Sequence, residues 1–121
     1  MSATERRERE RAQRHQLIVT AARELAEAEG WEAVTTRRLA ERVEYSQPVL
    51  YSHFDGKDAI VRAVAIEGFG ELGAHMRRAR LAAPESAAAP ARALRALCHA
   101  YLGFAADRPA STRPCSSCRP T

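Results

Sequence analysis

Residues 35–57 read TTRRLAERVEYSQPVLYSHFDGK, and how this stretch divides into helices decides the fold. Thr35-Thr36 offers a hydroxyl to cap a helix N-terminus. Leu39, Ala40 and Val43 then recur at the spacing of one buried helical face. Glu44-Tyr45 makes a turn, and Ser46 can cap a second short helix. Pro48 falls in the first turn of that helix, where its missing N–H costs nothing. Leu50 and Phe54, four residues apart, anchor the inner side. Gln47, Pro48, Val49, Tyr51, Ser52 and His53 are left on or near the outer arc. Two short helices joined by a tight turn, with a longer helix before and after, make a helix-turn-helix on a three-helix support.

The flanks agree with this division. From about Arg11 to Glu29 the pattern is helical: Leu17, Ala21 and Leu25 form an i, i+4, i+8 row, with Ile18 and Ala22 beside it. Gly30 supplies the residue without a Cβ that a left-handed helix stop requires; Trp31 follows, and Val34 packs back on the bundle. Residues 4–15 (TERRERERAQRH) are a mixed-charge run, readable as a solvated helix start or as an arm whose arginines touch phosphates or a minor groove. After Phe54, Asp55 with Asp58 resembles a capping box. The helix that follows turns Ile60, Val61, Val64, Phe69, Leu72 and Met76 inward. A Pro- and Ala-rich connection at 82–91 leads to a further amphipathic helix over roughly 91–106, with Leu94, Leu97, Cys98, Tyr101, Leu102 and Ala105 on its apolar face. Residues 109–121 (PASTRPCSSCRPT) show no periodicity.

Composition narrows the function. At 121 residues the chain is one domain of ordinary size, rich in alanine, which favours helices over sheets. No run of about eighteen apolar residues exists to span a membrane, and the charged N-terminus is unlike a secretory signal, so a cytoplasmic location is expected. The net charge of +4 is uninformative about partners, because residues 1–57 hold ten Lys and Arg against ten Asp and Glu. Where the charges sit matters more than their sum. On the outer arc, Gln47 can pair bidentately with an adenine edge, and Pro48 or Val49 can touch a thymine methyl. Tyr51 and His53 can donate to phosphates, and Lys57 opens the next helix as a point charge.

The ordered set Thr35-Thr36-Arg37-Arg38-Leu39-Ala40, then Ser46 to Phe54, then Lys57, resembles the signature of the TetR family of transcriptional regulators. Ala21-Ala22, Leu25 and Glu29-Gly30-Trp31 resemble that family's first helix, and the likeness covers about residues 12–72. It implies an all-α fold. A charged arm (1–11) leads to a homeodomain-like, three-helix DNA-binding head (12–72, motif 35–54), whose last helix continues as a long connecting helix. The beginning of a truncated helical regulatory domain (73–108) and an irregular tail (109–121) follow. The resemblance puts Thr36 and Arg37 at the start of the helix that crosses the DNA backbone. It puts Gln47, Pro48, Val49, Tyr51 and His53 at DNA-contact positions, and Lys57 at a phosphate contact. Two departures fall in the turn: Glu44 stands where the family usually has glycine, and Tyr45 where a small valine is common. A left-handed turn position strains a non-glycine residue.

The family also implies partners: a palindromic double-stranded operator read by a homodimer, and a small-molecule effector, both served by helices beyond those seen here. The segment from Tyr101 to Pro109 resembles the start of that regulatory part, so the chain as given is expected to be a monomer or weak dimer with a sticky face at 91–106. Bases able to encode residues 111–120 also read, in a neighbouring frame, as LYEAMFILP, an apolar helical string. A single-nucleotide shift near residue 110 is therefore the expected origin of the tail, to be read in the coding DNA. No cofactor or metal is expected. The competing reading is a small metal or redox protein using Cys98, His99, Cys115 and Cys118, or an inactive truncated product. No Ser-His-Asp order, phosphate loop or carboxylate pair supports catalysis.

Overall fold

A computed structural model of the chain describes residues 2–82 and 89–112. Within them every regular element is helical, as expected of an all-α chain: α1 (Ala3–Glu29), a 3-10 turn (Trp31–Ala33), α2 (Thr36–Val43), α3 (Gln47–His53), α4 (Lys57–Ala82), α5 (Ala89–Asp107) and α6 (Pro109–Thr112).

α1 begins well before Arg11. Ser2 and Glu5 form a capping box: the Ser2 hydroxyl accepts the Glu5 N–H at 3.2 Å, and the Glu5 carboxylate accepts the Ser2 N–H at 2.7 Å. The residues read as an arm are thus the first turns of a 27-residue helix. Its buried face is centred on Ile18, Ala22 and Leu25, whereas Leu17 is 47% exposed. Leu17 and Ile18 lie 100° apart around the axis, so only one of the two can face the core squarely. The β-branched residue does.

Gly30 ends α1 at φ 86°, ψ 163°, a region open essentially to glycine alone, rather than in the left-handed helical turn expected. Thr35 caps α2, its hydroxyl accepting the Arg38 N–H at 3.1 Å. Two ion pairs tie α2 to α1: Arg38 with Glu29 at 2.8 Å and Arg42 with Glu24 at 3.4 Å. Glu44 then takes φ 59°, ψ 32°, so the left-handed position is present although the glycine is not. The Tyr45 N–H reaches back to the Ala40 carbonyl at 3.0 Å and closes the turn.

At the start of α3, Ser46 occupies the cap position but its hydroxyl makes no capping bond; its carbonyl accepts the N–H of Val49 at 3.1 Å and of Leu50 at 3.2 Å. The capping box expected from Asp55 and Asp58 is displaced: α4 starts at Lys57, after Gly56 at φ 134°. The Gly56 carbonyl accepts the Ile60 N–H at 3.3 Å, so the cap position falls one residue later than Asp55. α4 buries Ile60, Val61, Val64, Gly68 and Leu72. Phe69, expected inside, is 61% exposed, and α4 runs unbroken through the expected boundary at residue 72.

α5 lies along α4 and leaves most of the expected apolar face open, as a sticky face would be. It buries Ala100 and Phe104, four residues apart, while Leu94, Cys98, Tyr101 and Leu102 are exposed. The small Ala100 lets the two helices approach, so contact is made on that side and the larger stripe faces away. Pro109–Thr112, expected to be irregular, forms a helical turn docked on α1. The Glu27 carboxylate accepts the N–H of Ala110 at 3.2 Å and both the N–H and hydroxyl of Ser111 at 2.9 Å. The Trp31 indole donates to the Ala110 carbonyl at 2.8 Å. Arg23 on α1 pairs with Glu67 and Glu71 on α4, and Arg108 also reaches Glu71. Cys115, Cys118 and most of the tail read as frame-shifted lie outside the described residues.

One cluster joins the head: Ile18, Ala22 and Leu25 with Trp31, Val34, Leu39, Leu50, Phe54, Ile60, Val61 and Val64. Two measurements test this packing. Ile18→Ala is expected to cost about 2–5 kcal/mol in denaturant unfolding and Leu17→Ala well under that, the reverse of the order a Leu17-centred face would give. Glu44→Gly is expected to raise the melting temperature by a few degrees. A left-handed residue with a Cβ costs about 1–2 kcal/mol, which exceeds the added unfolded-state entropy of glycine, about 0.4–1 kcal/mol. A lowered melting temperature would show that the turn carries no such strain.

Candidate nucleic-acid interface

The residues of α3 divide by exposure as a reading helix needs. Leu50 is 1% exposed and Phe54, just past the helix, 6%; they hold α3 to the bundle. Gln47, Pro48, Tyr51 and Ser52 are exposed, and Val49 and His53 are half-buried. Gln47 and Tyr51 are one helical turn apart on the outer side. The Ser52 hydroxyl donates to the Val49 carbonyl at 2.6 Å. Its proton is committed within the helix, so Ser52 can offer an outside partner only lone pairs.

The other expected contact residues stand on neighbouring elements. Thr36 opens α2 and is half-buried. Arg37 beside it is almost fully exposed, and its guanidinium meets Glu41 one turn along at 3.4 Å. A pair this exposed is weak, about 0.3–0.5 kcal/mol, so a phosphate could displace it. Lys57 is the first residue of α4 and half-buried.

His53 sits in unusual surroundings. Its ring meets His15 edge-on at 6.2 Å between centroids, and the same His15 lies 4.6 Å from the Phe54 ring. Nδ1 is buried and finds no hydrogen-bond partner among the described residues, which leaves Nε2 for a partner from outside. Burial, and then the charges of Arg11, Arg14 and His15, hold the imidazole below the ordinary histidine pKa. Near neutral pH His53 is therefore an uncharged hydrogen-bonding group, not a point charge.

Arg11 and His15 are the residues that reading the motif alone missed. Arg11 Nη2 donates to the Ser52 carbonyl at 3.0 Å, satisfying one of the carbonyls that the end of a helix leaves free. The signal for it was present as a spacing: Arg7, Arg11 and Arg14 continue the row of Ile18. The thiol of Cys98 is exposed, and among the described residues no group of three or more His, Cys, Asp or Glu could hold a metal ion. No described helix is long and apolar enough to cross a membrane.

A short exposed helix, a left-handed turn before it and a three-helix support define a helix-turn-helix protein. Residues 18–64 match the family model described as bacterial regulatory proteins, tetR family. Over 48 residues the chain is 48% identical to the tetracycline repressor protein class C of Escherichia coli, covering 40% of this chain and 22% of that protein. Over 93 residues it is 32% identical to the uncharacterized HTH-type transcriptional regulator YobS of Bacillus subtilis (strain 168), covering 77% of this chain and 46% of that regulator. A third relative, the class G tetracycline repressor of Vibrio anguillarum, is 43% identical over 47 residues, covering 39% of this chain and 22% of that repressor. The chain thus spans less than half the length of these relatives. Its helix-turn-helix head, residues 18–64, is thus a domain of the TetR family of bacterial regulatory proteins.

The half-buried imidazole of His53 sets the expected direction of the head's pH dependence. Because the folded pKa of His53 lies below its unfolded value, the stability it confers is full above the ordinary histidine range. That stability is lost as pH falls through the folded pKa. The melting temperature is expected to drop as pH falls through and below the ordinary histidine range, and His53→Gln to shrink that drop. An identical drop in the variant would assign it to other groups.

Proposed function

We propose that the chain binds double-stranded DNA in a sequence-specific manner and regulates transcription, acting as a repressor. The observation that carries this is the division of α3: Leu50 and Phe54 buried, Gln47, Pro48, Tyr51 and Ser52 presented outward. With α3 in a major groove, Gln47 reads an adenine edge and Pro48 or Val49 a thymine methyl. Tyr51, His53 through Nε2, Thr36, Arg37 and Lys57 fix the register on the phosphates, and Ser52 contributes as an acceptor. The repressor assignment rests on likeness to the tetracycline repressors.

One head offers a small interface, so specificity calls for two heads on one palindromic operator, their half-sites about 34–36 Å apart. A homodimer built by helices outside this head, released from DNA by a small-molecule effector, completes the reading in the cytoplasm.

The test is binding of the purified chain to its own upstream intergenic DNA at two salt concentrations, beside a Gln47→Ala, Tyr51→Ala variant. The adenine contact alone is worth about 1–3 kcal/mol, so specific affinity should fall at least tenfold while affinity for random DNA changes far less. Equal loss on both DNAs would remove Gln47 from base reading. Wild-type binding no tighter than to random DNA would overturn sequence-specific recognition by this chain.

A further inference from the structure

Along α1, Arg7, Arg11, Arg14 and Ile18 follow one another at intervals of four, three and four residues, the spacing of a single helical face. Below Ile18 the same face carries Ala22 and Leu25, both buried in the core. The side of α1 that faces the bundle therefore changes from apolar to basic where the core ends. The first half of α1, through Leu17, is exposed, yet it keeps arginines where a solvated helix would need none.

Contacts place this basic face beside the reading helix. Arg11 touches the carbonyl of Ser52 in the last turn of α3, and His15 lies against His53 and Phe54. Arg14 lines a shallow depression with Glu10, Gln13, Leu17 and Tyr45, the residue that leads into α3. The basic stripe thus passes the C-terminal end of α3 and continues beyond it. Arg7 lies about 16 Å along the axis from Ile18 at 1.5 Å per residue. The nearest carboxylates, Glu8 and Glu10, stand about 80° to either side of the stripe at 100° per residue. Arg7 and Arg14 make no hydrogen bond or ion pair among the described residues. Arg11 commits one of its five N–H donors to Ser52.

We propose that Arg7, Arg11 and Arg14 form a second DNA contact, a rigid helical stripe that grips the phosphate backbone flanking the groove α3 enters. The proposal rests on the DNA-binding reading above. Arg7 to Arg14 span about 10 Å of helix axis, and one strand presents a phosphate every 3.4 Å or so of duplex. The stripe can therefore meet more than one phosphate without bending α1. Because the contacts are to the backbone, they add affinity and salt dependence but no sequence preference.

The experiment compares the salt dependence of DNA binding in two charge-matched variants of the full chain. Arg7→Ala/Arg14→Ala removes the stripe while sparing the Arg11 bond to Ser52. Arg6→Ala/Arg9→Ala removes two charges from the other side of the same turns. Each phosphate contact contributes about 0.9 to the slope of log affinity against log salt. The first variant should flatten the slope by about 1.8 and leave the ratio of specific to random binding unchanged; the second should leave the slope as in the wild type. Equal slopes in all three proteins, or equal flattening in both variants, would overturn the stripe while leaving α3 as the reader. A wild type with no salt-sensitive binding would overturn both readings. Alanine favours helix, and circular dichroism confirms folding; Arg7→Gln/Arg14→Gln repeats the test should the alanine variant melt early.

Discussion

The structure depends on the burial of Leu50 and Phe54 in the core cluster they share with Ile18 and Leu25 of α1. α3 has only seven residues, too few to be stable as an isolated helix. It exists because its inner side is part of the core, and the same burial turns Gln47, Pro48 and Tyr51 outward. The candidate interface follows from that attachment, together with the basic turns of α1 that run past the C-terminal end of α3.

Much of the head was legible because its signals are local. Thr35 caps α2 as its place before Leu39 and Ala40 implies, Gly30 stops α1, and Pro48 sits in a first turn. Each rests on one or two residues whose backbone preferences act in the same direction as the tertiary packing. The left-handed turn formed as well, on Glu44, which local preference argued against. There the docking of α2 and α3 on the core outweighs a local cost of about 1–2 kcal/mol.

The errors share a cause. Leu17 and Phe69 read as inward on size and apolarity, yet both are exposed. A helix is periodic in angle, and adjacent residues differ by 100°, so periodicity names a face only to within a neighbour. What selects between faces is the partner: Gly68 of α4 lies against Ser111 of α6, and α5 buries Ala100 and Phe104. Mixed charge left the first turns of α1 readable as a helix start or as an arm, and they are the helix start. Their helical register and the Ser2–Glu5 cap set them in line with Ile18. Ser111 had no local signal: its burial comes from Glu27, more than eighty residues away in sequence.

The strained turn at Glu44 has a consequence for where error tolerance lies. A joint that contains glycine at this position would adopt its angle by itself. Here the joint resists its own conformation, and the angle between α2 and α3 is imposed from outside, by Leu39 and Leu50 seated in the core. The aim of the reading helix is thus set like the needle of an instrument whose pivot is loose but whose frame is rigid. On the proposed DNA-binding reading, small losses of packing behind α3 would turn it out of line before they appear as unfolding, so the fidelity of such a reader would be stored largely in residues that never meet the DNA.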